Sequence, residues 1–130
     1  MRMNYFYKSQ AEKYTFIRIP KVLVTGEDFS SLSITAKILY GLLLDRMAMS
    51  VKNKWIDDEG RVYIYYQLSE IQYDMNVSKK KAIECMNELE TIGLIEKKRQ
   101  GSGLPNQIYV RNFIAEDSLQ NKTEVQKLHF

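Results

Sequence analysis

The chain has 130 residues, 45% of them hydrophobic and 27% charged, which is enough for one soluble domain with a single core. Its net charge of +3 excludes a histone-like tail protein but does not by itself indicate nucleic-acid binding. The single cysteine excludes an internal disulfide, and no apolar run reaches the roughly 18 residues that a bilayer-spanning helix needs. The N-terminus lacks a signal-peptide core, so we expect a cytoplasmic protein that does not enter a membrane.

The first fourteen residues form a mixed, largely polar arm. Tyr5, Phe6 and Tyr7 lie close together in it and need a surface to cover. That surface is the domain itself, a partner subunit or DNA, and we name the three rings as candidates for self-association. The following segment, Thr15 to Ile19, alternates and ends at Pro20, which predicts a short edge strand.

Ser33 is a good N-cap for the next element, which is predicted to be the core helix of the domain. Gly41 lies inside this helix at a cost of about 1 kcal/mol relative to alanine, so another backbone is expected to approach there. The predicted buried stripe consists of Ile34, Ile38, Leu39, Leu42, Leu43 and Met47.

An acidic turn, residues 57–60, precedes a predicted strand from Val62 to Tyr65. Its three adjacent carboxylates suggest a metal loop. However, their spacing lacks the alternating ligands and the distal glutamate of a calcium site. We therefore predict a solvated turn and no metal.

Two helices joined by a tight turn follow. The first is predicted over Gln67 to Asp74, Asn76 suits the left-handed residue of the turn, and Ser78 caps the second helix. At 100° per residue the inward face of the second helix consists of Ala82, Ile83, Met86 and Leu89, with Glu90 at its rim.

Three lysines occupy the first turn of that second helix, where the macrodipole makes positive charge unfavourable by some tenths of a kcal/mol. A phosphate-facing surface would select them, although a solvated charge run is the alternative. Glu84 and Glu88 share the outer face and either pair with Lys81 and Lys80 or accept from a cytosine amino group. The candidate DNA contacts here are Gln67, Ser78, Lys79, Lys80, Lys81, Glu84, Asn87 and Glu88.

A basic hairpin is predicted next, with Gly93 ending the helix, strands Leu94 to Arg99 and Gln107 to Phe113, and the tip GSGLPN. Ile108, Val110 and Phe113 are expected on one face of the return strand, with Tyr109 and Arg111 on the other. From residue 78 to 111 seven basic side chains oppose four acidic ones, a net +3 equal to that of the whole chain. The wing candidates for contacting phosphates and a minor groove are Lys97, Lys98, Arg99, Gln100, Ser102 and Asn106.

The order of these parts predicts an α+β fold, a winged helix-turn-helix with a small antiparallel sheet and an N-terminal aromatic arm. Residues 15–113 form the predicted DNA-binding domain. Residues 114–130 are polar without a sustained stripe, which predicts a linker or frayed end of a longer protein.

The segments FIRIPKVL, SLSITAKILYGLLLDRM, KNKWIDDEGRVYIYY and LIEKKRQGSGLPNQIYVRNF occur in that order between Phe16 and Phe113. This stretch resembles the N-terminal domain of the RepA_N-type plasmid replication initiators of Gram-positive bacteria. The resemblance implies a winged helix that binds repeated origin sequences (iterons), self-association, and a separate C-terminal domain, absent here, that recruits host replication proteins. It also places the base-reading helix at Ser78 to Ile92 and the wing at Lys97 to Asn106.

The leading hypothesis is therefore sequence-specific binding of double-stranded DNA at origin repeats by a homodimer or higher assembly. Alternatives on the same fold are a transcription regulator and a protein-interaction module of a primosome-like assembly. We expect no enzyme activity and no cofactor, because the chain has no GxxxxGK loop and His129 is its only histidine.

Overall fold

The computed structural model describes residues 1–7 and 14–112, which form a winged helix-turn-helix of the α+β class, as predicted. Phe113, His129 and the predicted linker 114–130 lie outside the described residues. The elements in chain order are α1 (Lys21–Thr25), a 3₁₀ turn (Glu27–Phe29), α2 (Ile34–Met47), α3 (Leu68–Met75), α4 (Lys79–Ile92), β1 (Ile95–Lys98) and β2 (Gln107–Val110).

The core lies where α2 packs against α4 and the sheet covers both. Leu39 and Leu43 of α2 and Leu89 of α4 are completely buried, and Ile64 and Ile108 close the core from the sheet side. Burying aliphatic side chains of this size stabilises the domain by about 1.5–3 kcal/mol each relative to leaving them exposed. The described part of the chain thus has the single core that its length predicted.

The buried face of α2 differs from the predicted stripe. Ile34 is 66% exposed and Ile38 37% exposed, whereas Ala36 and Tyr40 are buried. The prediction was wrong at both isoleucines, because helical periodicity gives the spacing of an apolar face but tertiary packing decides which residues it covers. The Tyr40 hydroxyl donates to the Arg111 carbonyl at 2.7 Å and so joins α2 to the end of the wing.

The segment before α1 crosses α2 at Gly41, where the glycine had led us to expect the approach of another backbone. A Cβ atom there would lie 2.8 Å from Ile19 Cγ1 and 3.2 Å from the Arg18 carbonyl oxygen. The predicted strand from Thr15 to Ile19 is wrong, because the segment runs over a helix and has no strand partner among the described residues. The sequence analysis also missed α1, a five-residue helix that Pro20 precedes.

The acidic turn is more ordered than predicted. Asp57 accepts bonds from the Glu59 and Arg61 amides at 2.9 Å, from Arg61 Nε at 2.9 Å and from the Tyr109 hydroxyl at 3.0 Å. Desolvation would raise the pKa of this carboxyl, but these bonds outweigh it and lower the pKa to about 2. The turn is thus a fixed support for β2.

The sheet of the wing is small. β1 and β2 are antiparallel with Ile95 opposite Val110, and Ile64 exchanges two bonds of 2.9 Å with Ile108. The strand predicted from Val62 to Tyr65 is reduced to two isolated bridges, that of Ile64 with Ile108 and that of Val62 with Ile56.

The outer face of the wing carries rings. Tyr109 was predicted on the face of the return strand opposite Ile108, and it is only 8% exposed, because Tyr63 covers it at a centroid distance of 5.9 Å. Tyr65 packs edge-on against Tyr63 and Trp55, at 5.5 and 5.3 Å. The hairpin is therefore anchored on both of its faces.

Candidate nucleic-acid interface

The helix-turn-helix forms as its turn residues predicted. Asn76 has left-handed angles (φ 54°, ψ 50°), and the Ser78 hydroxyl accepts from the Lys81 amide at 3.1 Å. At the start of α3 the Glu70 carboxylate reaches back to the Gln67 amide at 2.9 Å, a contact that the sequence analysis missed. These caps fix the first turns of both helices.

A groove of about 680 Å³ lies between α3, α4 and the wing. Five of the predicted contact residues line it together: Gln67, Lys79, Asn87, Lys97 and Asn106. The residues of its wall that the sequence analysis did not propose as contacts include Ser69, Gln72, Ile83, Leu104 and Pro105. The groove thus draws on all three elements that were predicted to meet nucleic acid.

The lysine-rich first turn of α4 lies at the edge of this groove. Lys79 and Lys80 are exposed and Lys81 is half-buried. The first turn of α4 contains no acidic residue, and none of the three lysines has an ion-pair partner within residues 14–112. The positive end of the helix and the three ammonium groups therefore add, which favours an anion such as a phosphate.

The wing places one of its three basic candidates in the groove lining and leaves the other two outside it. Lys97 lines the groove but is paired with Glu90 at 3.5 Å, which reduces its free charge. The remaining wing candidates are exposed and lie outside the groove lining: Lys98, Arg99, Gln100 and Ser102. Only Gln100 among them has a described partner, the Tyr65 hydroxyl at 3.4 Å.

Glu84 and Glu88, two of the three glutamates of α4, lie outside the groove lining. Both border a shallow depression beside Leu32, on the side of α4 that faces α2. Glu88 does not pair with Lys80 or Lys81, because its two oxygens accept from the Ser33 amide and the Ser33 hydroxyl, each at 2.7 Å. Base reading by Glu88 stays a prediction, and it would require breaking both bonds.

Arg46, at the end of α2, supports α3 from behind the groove. Its guanidinium donates to the Tyr65 carbonyl at 3.0 Å, pairs with Glu70 at 3.3 Å and lies 3.9 Å above the Tyr66 ring. The Tyr66 hydroxyl donates to Asp74 at 2.5 Å. Burial, as the larger cause, and this hydrogen bond, as the smaller one, raise the pKa of Tyr66 well above its usual value. Since Glu70 also holds the Gln67 amide, Arg46 fixes the start of α3 where Gln67 enters the groove.

Ile83 is the groove residue that the sequence analysis misassigned. It was predicted in the core, but it is 37% exposed, and Cys85 takes the buried place beside Met86. On a helical wheel Ile83 lies about 60° from Met86, at the limit of the predicted face. The lysine at Lys79 and the amide at Asn87, four residues to either side, were the signal that this edge of the helix faces a polar surface.

The N-terminal arm is described for residues 1–7. Tyr5, Phe6 and Tyr7 are 85%, 62% and 67% exposed, so none is buried against the domain. Phe6 packs edge-on against Tyr14 at 5.8 Å, and Tyr14 against Phe16 at 6.4 Å. The three rings remain candidates for self-association.

In the described part of the chain, no group of three or more His, Cys, Asp or Glu side chains is placed to hold a metal ion. Within the same residues, no helix has the length and apolar character required to cross a bilayer.

Comparison with known proteins places the chain in a family. Residues 15–125 match the family model of the replication initiator protein A (RepA) N-terminus, RepA_N. A "41 kDa protein" of Lactobacillus helveticus is 27% identical over an alignment of 114 residues that covers 83% of this chain but only 32% of that relative. The chain thus spans about a third of the length of the curated relative that it matches.

Three solved structures are similar in both sequence and fold. One described as "N-Terminal domain of DNA binding protein" is 32% identical with a TM-score of 0.73 and covers 99% of this chain and 98% of its own. One described as "Structure of Rep-DNA complex" is 32% identical with a TM-score of 0.72, covering 98% of each chain. A third, "Structure of MDR initiator", is 31% identical with a TM-score of 0.69 and covers 95% of this chain and 98% of its own. The chain therefore belongs to the RepA_N family, that of the replication initiator protein A N-terminus.

Proposed function

We propose that this chain is the DNA-binding domain of a plasmid replication initiator and that it binds double-stranded origin repeats in a sequence-specific way. The observation that carries the proposal is the groove in which the first turn of α4, the start of α3 and the basic wing meet. A helix N-terminus entering the major groove beside a wing is the docking geometry of such folds. The likeness of this chain to the structure described as "Structure of Rep-DNA complex" supports DNA binding.

The charges and amides of the groove divide into two roles. Lys79, Lys80 and the wing residues Lys98 and Arg99 are exposed cations suited to phosphates, which position a protein on the duplex. Gln67, Asn87 and Asn106 present amide groups in the groove, and amides of this kind pair with adenine edges. Affinity is therefore expected from the cations, and sequence preference from the amides.

Binding should be measured by fluorescence anisotropy, with an origin-repeat duplex against a scrambled duplex of equal length. We expect the repeat to bind more tightly and the affinity for both to fall as salt rises. Since each lost phosphate contact reduces the salt slope by about 0.9, the triple change Lys79→Ala, Lys80→Ala and Lys81→Ala should lower it by about 2 to 3. Equal binding of the two duplexes would contradict sequence-specific recognition.

A matched control comes from three exposed lysines outside the groove. The triple change of Lys21, Lys52 and Lys54 to alanine removes the same total charge. It should lower affinity only slightly and leave the salt slope within about one unit of the wild-type value. If both triple variants lose the same slope, net charge rather than the α4 turn determines the affinity. If neither loses DNA binding, a protein-interaction role for this face becomes the better account.

Self-association is the second part of the proposal. The exposed rings of Tyr5, Phe6 and Tyr7 offer a surface, and repeated sites favour two-fold or tandem assemblies. Sedimentation of the wild type and of a chain lacking residues 1–14 should show a smaller species after truncation. An unchanged assembly would remove the arm from the interface.

The remaining parts of the proposal concern the setting. We place the protein in the cytoplasm, where host replication proteins would be recruited by another part of the full-length initiator. No catalytic step and no cofactor is included, and metal-dependent nicking of plasmid DNA by this chain would contradict that. Repression of its own promoter is compatible with the same groove.

A further inference from the structure

Two apolar side chains of α4, Ile83 and Met86, line the groove, but Met86 is buried, so Ile83 is the apolar group that α4 exposes there. Lys79, Ile83 and Asn87 follow each other at four-residue steps, each turning about 40° and rising about 6 Å along the helix. All three line the groove, and Ile83 keeps 37% of its surface exposed. A single exposed isoleucine is unremarkable elsewhere on a protein surface, but here it lies between a cation and an amide.

The opposite wall brings a second apolar group toward the same space. Leu104, in the tip of the wing, is 58% exposed and also lines the groove. Its amide donates to the Gly101 carbonyl at 3.3 Å, so the tip turns back on itself at this residue. Ile83 and Leu104 are therefore the exposed large hydrophobic side chains of a lining in which Met86 and Ile108 are buried. The polar groups of the same lining suit DNA: Lys79, Asn87, Gln67 and Asn106.

On the edges of base pairs in the major groove, the C5-methyl of thymine is the apolar group, and everything beside it donates or accepts hydrogen bonds. We propose that Ile83 is a specificity-determining residue that contacts a thymine methyl in the bound duplex. The inference rests on the proposed function, because it assumes that α4 enters the major groove. Asn87, one turn further along α4, then lies over the neighbouring base pair.

The test uses the wild-type protein and altered DNA, so that it does not depend on the folding of a variant. A duplex is first selected from a random pool by the wild-type chain. Each of its thymines is then replaced in turn by deoxyuridine, which keeps base pairing and removes only the methyl group. We expect one thymine position at which the affinity falls about fourfold, the factor for one methyl group left in water.

The variant Ile83→Ala assigns that methyl to its contact. It should bind the thymine and deoxyuridine duplexes equally well, whereas Ile83→Val should keep part of the discrimination. Ile38→Ala is the matched control, because Ile38 on α2 has the same 37% exposure but lies outside the groove. It should discriminate like the wild type.

Two results would overturn the assignment. The first is that no thymine position matters to the wild type. The second is that Ile83→Ala keeps the full fourfold difference between the two duplexes; if it also weakens both by the same factor, the side chain lies against a sugar. If the selected duplex does not outcompete a scrambled one, the proposed function itself fails, and this inference with it.

Discussion

Two serines cap the two 14-residue helices, and the difference between them gives a measurable prediction. Ser33 accepts from the Ala36 amide at 3.1 Å and Ser78 accepts from the Lys81 amide at 3.1 Å, so the two caps have the same geometry. Only Ser33 also binds a carboxylate, because its hydroxyl donates to Glu88 at 2.7 Å. We expect Ser33→Ala to destabilise the domain more than Ser78→Ala.

The magnitudes follow from the two kinds of bond. Loss of a serine cap costs about 1 kcal/mol, which is the whole expectation for Ser78→Ala. A hydrogen bond to a charged group contributes about 1.5–3 kcal/mol. Because the Ser33 amide keeps its own bond to Glu88 in the variant, we take the lower figure and expect about 2.5 kcal/mol for Ser33→Ala.

Urea and thermal unfolding without DNA measure both variants, with Trp55 as the fluorescent probe. The difference of about 1.5 kcal/mol between them corresponds to roughly 6 °C in Tm for a domain of this size. A double-mutant cycle of Ser33→Ala with Glu88→Ala should show a coupling of about 1–2 kcal/mol, and Ser78→Ala with Glu88→Ala none beyond about 0.5. The Ser33–Glu88 contact would not stabilise the packing of α2 against α4 if Ser33→Ala and Ser78→Ala lost equal stability. The same would hold if the losses of Ser33→Ala and Glu88→Ala were additive.

Three further predictions concern other contacts. Because hydrogen bonds lower the pKa of Asp57 to about 2 from 3.8, its carboxylate contributes stability that is fully present above pH 3.8 and is lost as pH falls through 2. The difference in urea midpoint between the wild type and Asp57→Asn should thus narrow from pH 4 to pH 2. Gly41→Ala should destabilise by about 1 kcal/mol in calorimetry, since overpacking against Ile19 and the Arg18 carbonyl exceeds the helix-propensity gain. Ile19→Ala in the same chain should relieve the part of that penalty that comes from the Ile19 side chain. Glu88→Ala should lower Tm yet leave DNA affinity at low temperature within about twofold. If Glu88 only stabilises the packing of α2 against α4, the lost binding free energy should be less than about 0.5 kcal/mol. A loss of affinity above tenfold would instead indicate that Glu88 contacts bases.

Local features of the fold could be predicted from the sequence because they depend on one or two adjacent residues. Ser33 and Ser78 as caps, Asn76 as the left-handed corner and Gly93 with φ 89° at the end of α4 are of this kind. The proximity of the predicted contact residues on α3, α4 and the wing could also be predicted, since the order of helix, turn, helix and hairpin brings these elements together. Five of the predicted contact residues line it.

The features that could not be predicted join residues far apart in the chain. Glu88 and Ser33 are 55 positions apart, and Tyr109 and Asp57 are 52 apart, so no local pattern indicates either contact. The burial predicted for Ile34 and Ile83 was wrong for a related reason. Both lie at the edge of an apolar stripe, where a small rotation of the packed helix decides between core and solvent.

Taken together, the contacts of α2 suggest how the reading surface is held rigid. At its start Ser33 binds Glu88 of α4, and at its end Arg46 binds Glu70 of α3. Neither residue of α2 lines the groove, so α2 braces both helices of the helix-turn-helix from behind. A recognition surface needs its contacting groups held to within about 0.5 Å. The two polar contacts at opposite ends of α2 resist a rotation of the packed helices that an apolar interface alone would allow. A substitution of Arg46, whose partner Glu70 also holds the amide of the groove residue Gln67, should therefore weaken sequence preference while leaving the number of phosphate contacts, and hence the salt slope, unchanged.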